Sequence, residues 1–255
     1  MLDYNHRPTC AERINAVIDE AIAAERGAIA PRTYLGGSRL GHGCERALQF
    51  EFAGAPKDEG QEFSGQTLRI FEIGHALEDL AIRWLRGAGF VLYTRKGNRL
   101  DGEQFGFSVA GGRIRGHVDG IIAAAPQLLG IGVPALWECK TMNARNWRET
   151  VAKGVVVAKP VYASQIALYQ AYMEAQVPGI SDNPALFTAI NKDTAELHHE
   201  LVPFDAALAQ RMSDRAVRVL EATDAGDLLP RIATSRDFHE CRMCPWAERC
   251  WGLPA

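Results

Sequence analysis

Residues 134–141, Pro-Ala-Leu-Trp-Glu-Cys-Lys-Thr, decide how the rest of the chain is interpreted. The stretch is largely apolar and follows a loop, which predicts a buried β-strand. Because side chains alternate across a strand, Glu138 and Lys140 share one face, while Cys139 points to the other face and is expected in the core. A carboxylate beside an ammonium group can hold a divalent cation and position a water molecule against a phosphate. Taken alone, this spacing also fits a simple ion pair.

A second acid lies in the stretch before it. Residues 114–122, Ile-Arg-Gly-His-Val-Asp-Gly-Ile-Ile, predict another strand, which carries Asp119. Since only a loop separates this strand from that of Glu138, the two acids are expected on neighbouring strands. Two carboxylates placed in this way repel each other unless a cation lies between them. The pair therefore indicates a metal site, although a lone strand aspartate is more often an edge or turn residue.

The clearest predicted helix spans residues 67–86. Its apolar stripe, expected to face the core, consists of Ile70, Ile73, Leu77, Leu80, Ala81 and Trp84. His75 lies on the opposite side and offers an imidazole that can join the two carboxylates at a metal. Glu78, one turn further on, is interpreted as a solvated helix residue.

Another predicted helix, residues 162–176, carries Gln165 and Tyr169. The two residues are four apart and so share a face of the helix. Together they suit hydrogen bonding to a substrate phosphate or the orientation of a metal-bound water. Tyr169 also lies on an apolar stripe, so that packing in the core is the alternative role for it.

The predicted elements do not alternate as βαβαβ, and no G-x-G-x-x-G or P-loop pattern occurs. Residues 113–124 are predicted to form one strand. The order is a helix, three strands, a helix and a two-strand hairpin, which favours a mixed sheet flanked by helices. The length of 255 residues suits one sizeable core. We expect a single domain, 1–255, with an N-terminal helical part (1–66), a core (67–204) and a C-terminal helix with a cysteine cluster (205–255).

Charge and composition narrow the class of protein. The net charge is −3, so binding of nucleic acid would depend on local basic patches or on metal-bridged phosphates. The first seven residues are polar and lack the apolar region of a signal peptide, and no apolar run is long enough to span a membrane. These features predict a cytoplasmic protein, in which clustered cysteines suggest a metal rather than disulfides.

The C-terminal region contains a compact cysteine pattern, Cys241-x-x-Cys244 followed by Cys250. Three thiolates require a fourth ligand, for which His239 is near in sequence and Cys44 is distant. Four thiolates suit either zinc or a 4Fe–4S cluster, and spacing alone does not separate the two.

In these motifs the chain resembles the RecB-like branch of the PD-(D/E)XK nuclease superfamily. The matching positions, in the order the family has them, are His75, Ile114-x-Gly116-x-x-Asp119, Glu138-x-Lys140 and Gln165-x-x-x-Tyr169. The resemblance covers residues 40–251. It implies a restriction-endonuclease-like core with a mixed central sheet flanked by helices, and CRISPR-associated and phage exonucleases as the nearest types.

The resemblance also implies the chemistry of the site. His75, Asp119, Glu138 and the Cys139 carbonyl would bind Mg²⁺ or Mn²⁺, Lys140 would orient or activate the attacking water, and Gln165 and Tyr169 would assist. The iron–sulfur subset of the family places one cysteine before the nuclease core and three after it. This arrangement favours Cys44 over His239 and His42 as the fourth ligand, and a 4Fe–4S cluster over zinc, as a structural staple between the two ends of the domain.

The sequence thus predicts a metal-dependent DNA exonuclease that acts on single-stranded DNA or unwound ends. No helicase motif is present, so strand separation would come from a helicase, CRISPR or recombination partner. A non-catalytic DNA-end-binding or assembly subunit is the alternative from another class, and a structure-specific endonuclease would use the same site. Cleavage polarity and oligomeric state are not indicated by the sequence.

Overall fold

A computed structural model describes residues 7–96 and 102–254. Most of the polar N-terminal stretch behind the cytoplasmic prediction lies outside these residues. No helix in the described ranges is long and apolar enough to cross a membrane.

The fold is a mixed α/β structure with two sheets. The strands in the described residues are β1 Leu35–Gly36, β2 Val91–Tyr93, β3 Gly106–Val109, β4 Ile114–His117, β5 Gly120–Ala124, β6 Ala135–Met142, β7 Ala185–Asn191 and β8 Leu197–Val202. The larger sheet has the order β2-β5-β6-β7-β8, in which only β6 and β7 run parallel. The smaller sheet has the order β1-β4-β3. The mixed, helix-flanked central sheet that the sequence predicts is confirmed.

Helices cover the sheets and connect them. They are α1 Cys10–Gly27, α2 Glu45–Phe52, α3 Gly65–Gly87, α4 Ala144–Lys153, α5 Val155–Ala158, α6 Pro160–Met173, α7 Ala206–Ala225, α8 His239–Arg242 and α9 Ala247–Gly252. The main core cluster joins α6 and α7 to buried side chains of both sheets, and a second cluster packs α3 against the larger sheet around the fully buried Trp137. Every residue of β7 is buried, and the strand lies between β6 and β8.

The prediction of one continuous strand over 113–124 was wrong. The chain leaves the smaller sheet after His117 and enters the larger sheet at Gly120. Asp119 lies at this break, where its Oδ2 accepts a hydrogen bond from the Cys139 N–H at 2.8 Å. Gly120 and Trp137 are the last paired residues at this end of β5 and β6. The carboxylate of Asp119 therefore binds the backbone of β6 just beyond that pair.

The predicted core-facing stripe of α3 is only partly covered. Ala81 is buried, but Ile70 and Ile73 are each 49% exposed. Periodicity shows which side of a helix is apolar, whereas burial depends on what packs against that side. Here the helix turns Gly74 towards β6, where a side-chain Cβ would lie 3.5 Å from Thr141 Oγ1.

Helix α1 lies in the predicted N-terminal helical part, with Thr9 capping its first turn through the Glu12 N–H. None of its residues is buried. It contacts α3, where Asp19 pairs with Arg69. The apolar residues Ile14 and Val17 are 55% and 68% exposed, so the amphipathic pattern here leads to an uncovered surface.

Candidate active site

Strand β6 carries the central acid and lysine of the site. It lies between β5 and β7, and Glu138 is fully buried while the Lys140 side chain is 22% exposed. The two side chains share one face, as the spacing predicts, and Lys140 Nζ donates a short hydrogen bond to Glu138 Oε1. Lys140 also lies over the ring of Tyr162, 5.6 Å from its centroid.

Asp119 reaches this pair from the break between the two sheets. Its Oδ2 lies 3.8 Å from Lys140 Nζ, besides accepting the hydrogen bond from the Cys139 N–H. The backbone of β6 therefore fixes the carboxylate beside Glu138. The chain brings the two predicted acids and the lysine together, although Asp119 comes from a connection rather than from within a strand.

Helix α6 contributes Gln165 from above the sheet. Its Nε2 donates a hydrogen bond to Glu138 Oε1 at 2.5 Å, and its side chain is almost completely buried. Oε1 thus accepts from both Lys140 and Gln165, whereas the buried Oε2 has no partner among the described residues. A buried carboxylate oxygen without a donor is costly, which makes this oxygen a candidate ligand for a cation.

Tyr169 is brought to the same region but is mainly a core residue. It is 2% exposed, and its ring meets that of Phe107 edge to face at 5.2 Å between centroids. Burial and the charge of Glu138 raise the pKa of its hydroxyl, which places that hydroxyl within the field of the site. Its suggested alternative role in packing is therefore realised.

Glu78 belongs to the site, and its interpretation as a solvated residue was wrong. It is half-buried on α3, and burial together with the charge of Asp119 raises its pKa to about 7. The signal that could have found it is the close approach of α3 to β6 at Gly74, one turn earlier. In the sequence alone, Glu78 looks like any polar helix residue next to Asp79.

His75, by contrast, is exposed on α3, one turn before Glu78. Within the described residues it forms no hydrogen bond or ion pair. Its predicted role as a metal ligand stays a prediction. Cys139 is buried on the opposite side of β6, as expected from the alternation, and burial raises the pKa of its thiol.

The electrostatics of the site call for a cation. Burial and then the charge of Asp119 raise the pKa of Glu138 to about 8. Burial by itself lowers the pKa of Lys140, but Glu138 and Asp119 outweigh that effect and raise it. When Glu78, Asp119 and Glu138 are all ionised, three negative charges face the one positive charge of Lys140. The excess of two matches a divalent ion, and oxygen ligands are those Mg²⁺ and Mn²⁺ prefer.

The predicted cysteine ligands form a second cluster. Cys44, Cys241, Cys244 and Cys250 line one cavity of ≈ 20 Å³ between the start of α2 and the C-terminal helices. His42 also lines it, and its Nδ1 accepts a hydrogen bond from the Cys44 N–H at 3.2 Å. His239 does not line it, since its side chain is 69% exposed and its ring packs on Phe238.

A buried arginine accompanies these cysteines. Arg46 is fully buried, and its Nη1 lies 3.8 Å from Cys250 Sγ and 3.0 Å from the Pro254 carbonyl. Its Nη2 has no partner among the described residues. Burial raises the pKa of the Cys241 and Cys244 thiols, so a bound cation would be needed to hold them as thiolates. The donor set therefore fits a thiolate-bound metal or cluster.

Neither site has the finished geometry of a metal centre. In residues 7–96 and 102–254, no set of three or more His, Cys, Asp or Glu side chains is arranged to hold a metal ion. The metal-cluster staple is accordingly not shown by the structure.

Comparison with known proteins follows from this fold and site. The sequence profile of the PD-(D/E)XK nuclease superfamily matches residues 8–251, and the chain belongs to that superfamily. No curated protein matches the sequence.

Several solved structures align with this chain. An alkaline exonuclease (LHK-Exo) from Laribacter hongkongensis aligns with a TM-score of 0.50 and 15% identity, over 81% of this chain and 93% of that chain. Its complex with dAMP gives 0.49 and 16%, over 76% and 89%. The structure of SSO0001 gives 0.47 and 16%, over 93% and 96%.

Proposed function

We propose that the protein is a Mg²⁺- or Mn²⁺-dependent deoxyribonuclease that degrades single-stranded DNA or unwound DNA from an end. The observation that carries this proposal is the buried, unpartnered Oε2 of Glu138 beside Asp119, Glu78 and Lys140. Membership of the nuclease superfamily supports hydrolysis of DNA.

Asp119 and Glu138 would hold the cation, with the Cys139 carbonyl and with Glu78 or His75 from α3. A bound divalent ion supplies positive charge that polarises the phosphodiester and lowers the pKa of water. Gln165 donates to Oε1 of Glu138 and leaves the buried Oε2, which has no partner among the described residues, for the cation. Lys140 stays protonated because two carboxylates raise its pKa, and it holds a positive charge where negative charge develops on the phosphate.

Cys44, Cys241, Cys244 and Cys250 would hold a 4Fe–4S cluster, with zinc as the alternative. Four thiol groups around one cavity and the buried Arg46 next to Cys250 support a thiolate-bound group there. The group would hold the start of α2 to the chain end and would not take part in hydrolysis. A single domain over 1–255, with the parts given above, is part of the proposal, and so is a partner that separates strands.

The assay uses end-labelled linear and circular single-stranded DNA with Mg²⁺ or Mn²⁺. We expect the linear strand to be shortened progressively and the circle to survive. Lys140→Ala should abolish cleavage while DNA binding is largely retained. Lys153→Ala, which removes an exposed lysine of α4, is the matched control and should cleave like the wild type.

Three results would contradict the proposal. Unchanged cleavage by Lys140→Ala would contradict the assignment of this active site. Wild-type protein that binds DNA ends without cutting under either metal would favour the non-catalytic end-binding subunit instead. Rapid cutting of the circle would replace the exonuclease with a structure-specific endonuclease at the same site.

A further inference from the structure

The open face of the smaller sheet carries two arginines stacked on one tyrosine. The guanidinium carbon of Arg115 lies 5.2 Å from the centroid of the Tyr34 ring, and that of Arg32 lies 5.9 Å from it. Arg32 and Arg115 are exposed and Tyr34 is half-buried. We call this set the arginine–tyrosine row.

The row holds positive charge that the protein does not neutralise. Within the described residues, neither Arg32 nor Arg115 forms an ion pair with a carboxylate, and Arg115 Nε donates only to the Gly112 carbonyl, at 2.8 Å. Neighbouring arginines are paired: Arg113 with Asp224 and Arg39 with Glu51. Two like charges held about one ring repel each other, so an anion at this place is favoured.

One member of the row lies on the strand that leads to the active site. In β4, Ile114 and Gly116 are buried while Arg115 and His117 are exposed, and Asp119 follows just after the chain has left this sheet. Four residues of extended chain span at most about 13 Å. Arg115 therefore lies within the reach of a few nucleotides from Asp119.

The residues paired with Arg115 and His117 have small side chains or none. The partner of Arg115 in β1 is Gly36 and its partner in β3 is Ser108, while His117 is opposite Gly106. Paired residues of a sheet project to the same side, so Arg115 and His117 are flanked by small residues. Glu103 is paired with Lys96 at 3.0 Å.

We infer that this face binds the single strand that enters or leaves the active site, with phosphates on Arg32 and Arg115 and a base against Tyr34. The inference rests on the proposed function and names the substrate path of the same site. A backbone-tracking positive groove with an aromatic surface for stacking is the arrangement that suits single strands. A rigid duplex offers no exposed base to Tyr34, so that the single strand is the favoured occupant.

The first test measures binding without cleavage. A fluorescein-labelled oligothymidylate is titrated with protein in EDTA at several salt concentrations, and anisotropy gives Kd. Arg32→Gln and Arg115→Gln should each weaken binding and reduce the slope of log Kd against log salt by about 0.7, the value for one phosphate contact on a single strand. Tyr34→Leu should weaken binding several-fold with an unchanged slope. Arg211→Gln, an exposed arginine of α7, should match the wild type.

The second test separates this inference from the nuclease assignment. The variants should hydrolyse the p-nitrophenyl ester of thymidine 5′-monophosphate, which is too short to reach the row, at the wild-type rate. Wild-type slopes and affinities in all three row variants would overturn the inference even if the enzyme cleaves DNA. Equal weakening on a blunt duplex would overturn the single-strand assignment. Wild-type protein that binds DNA but never cleaves it would contradict the proposed function. The binding measurements would still test whether the arginine–tyrosine row binds the strand.

Discussion

Glu138 shows how one residue can combine burial, charge and an unmet hydrogen bond. Its Oε1 accepts from Lys140 and Gln165, and its Oε2 is left without a partner in the described residues. Such a carboxyl group is protonated at a higher pH than usual, because it is buried and Asp119 is near. A cation bound beside Glu138 would lower this pKa again.

This raised pKa makes metal-free stability depend on pH. The pKa of Glu138 is about 8 and that of Glu78 about 7 in the folded state, both above the value of 4.5 for a free glutamate. Folding therefore keeps protons that the unfolded chain has lost, and stability falls as pH rises from about 5 through 8. We expect the metal-free protein to lose on the order of 2 kcal/mol over this range.

Chemical denaturation in EDTA at pH 5.5 and pH 9 measures the loss, and Glu78→Gln should reduce it because one titrating group is gone. Mg²⁺ should restore stability at pH 9 more than at pH 5.5. Stability that is constant with pH in EDTA would contradict this account of the acids.

Glu78 and His75, both on α3, can be compared as ligands of the cation. If Glu78 helps to hold the ion, Glu78→Gln should raise the half-saturating Mn²⁺ concentration by about tenfold or remove activity, since one ligand charge is lost. His75→Ala should have a comparable effect only if the imidazole turns inward. Cleavage rates over a Mn²⁺ titration distinguish these cases, and a wild-type titration for His75→Ala would assign His75 to the solvated surface.

Local spacing was sufficient to predict that Glu138 and Lys140 share a face of β6. It did not predict that Gln165 donates to Glu138, because that contact joins two elements. Spacing was insufficient for Glu78, because its role depends on the angle at which α3 approaches the sheet. Their catalytic functions stay predictions until the variants are assayed.

At the scale of elements, the smaller sheet meets α6 through two glycines. A Cβ at Gly116 would lie 2.5 Å from Phe107 and 2.9 Å from Tyr169, and one at Gly37 would lie equally close to the same rings. The rings can pack edge to face here because neither backbone carries a side chain. Tyr169 and Gln165 belong to one helix, so this packing also sets the position of Gln165.

Gly116→Ala should therefore lower the free energy of unfolding by about 1–3 kcal/mol, as overpacked cores do, and reduce cleavage more than DNA binding. Gly87→Ala is the matched control, because nothing lies within 4 Å of a Cβ there and alanine favours the helix. Urea denaturation with both variants gives the comparison. Equal stability of Gly116→Ala and the wild type would mean that the rings move aside without cost.

The element order could be predicted from the sequence, whereas the exchange of partners could not. Asp119-Gly120 is a turn dipeptide within 114–122, but nothing in the segment shows that the strand after it joins another sheet. Of the partners that decide it, β1 is distant in sequence, whereas β6 follows β5 after one loop. Strand pairing over such separations is a property of the assembled fold rather than of the segment.

At the scale of the whole molecule, the cysteine cavity joins residues separated by about two hundred positions in the chain. Hydrogen bonds cross the same junction. Arg46 binds Leu229 and Pro254, and Gln49 binds Asp227 and Leu229. Trp246 binds Ala55. The junction thus has its own polar contacts, to which a bound metal or cluster would add. Crosslinking over so long a loop restricts the unfolded chain strongly.

Cys44→Ser should lower Tm by several degrees, remove the bound metal and cause aggregation, since binding free energy at such a site is folding free energy. Cys10→Ser, in an exposed helix, should change neither property. Metal analysis and the absorption spectrum of anaerobically purified protein check the prediction. Brown protein with about four irons per chain supports the cluster. Colourless protein with one zinc would retain the staple and exclude the cluster, and full metal content in Cys44→Ser would require another fourth ligand.

Helix α1 has a consequence for how the molecule opens. It has no buried residue and contacts α3, where Asp19 pairs with Arg69. Its amide protons are therefore protected by little more than the helix itself, which is marginal at 18 residues. In hydrogen exchange they should be replaced by deuterium long before those of β7, through an opening that leaves the sheets and the acids of the site intact.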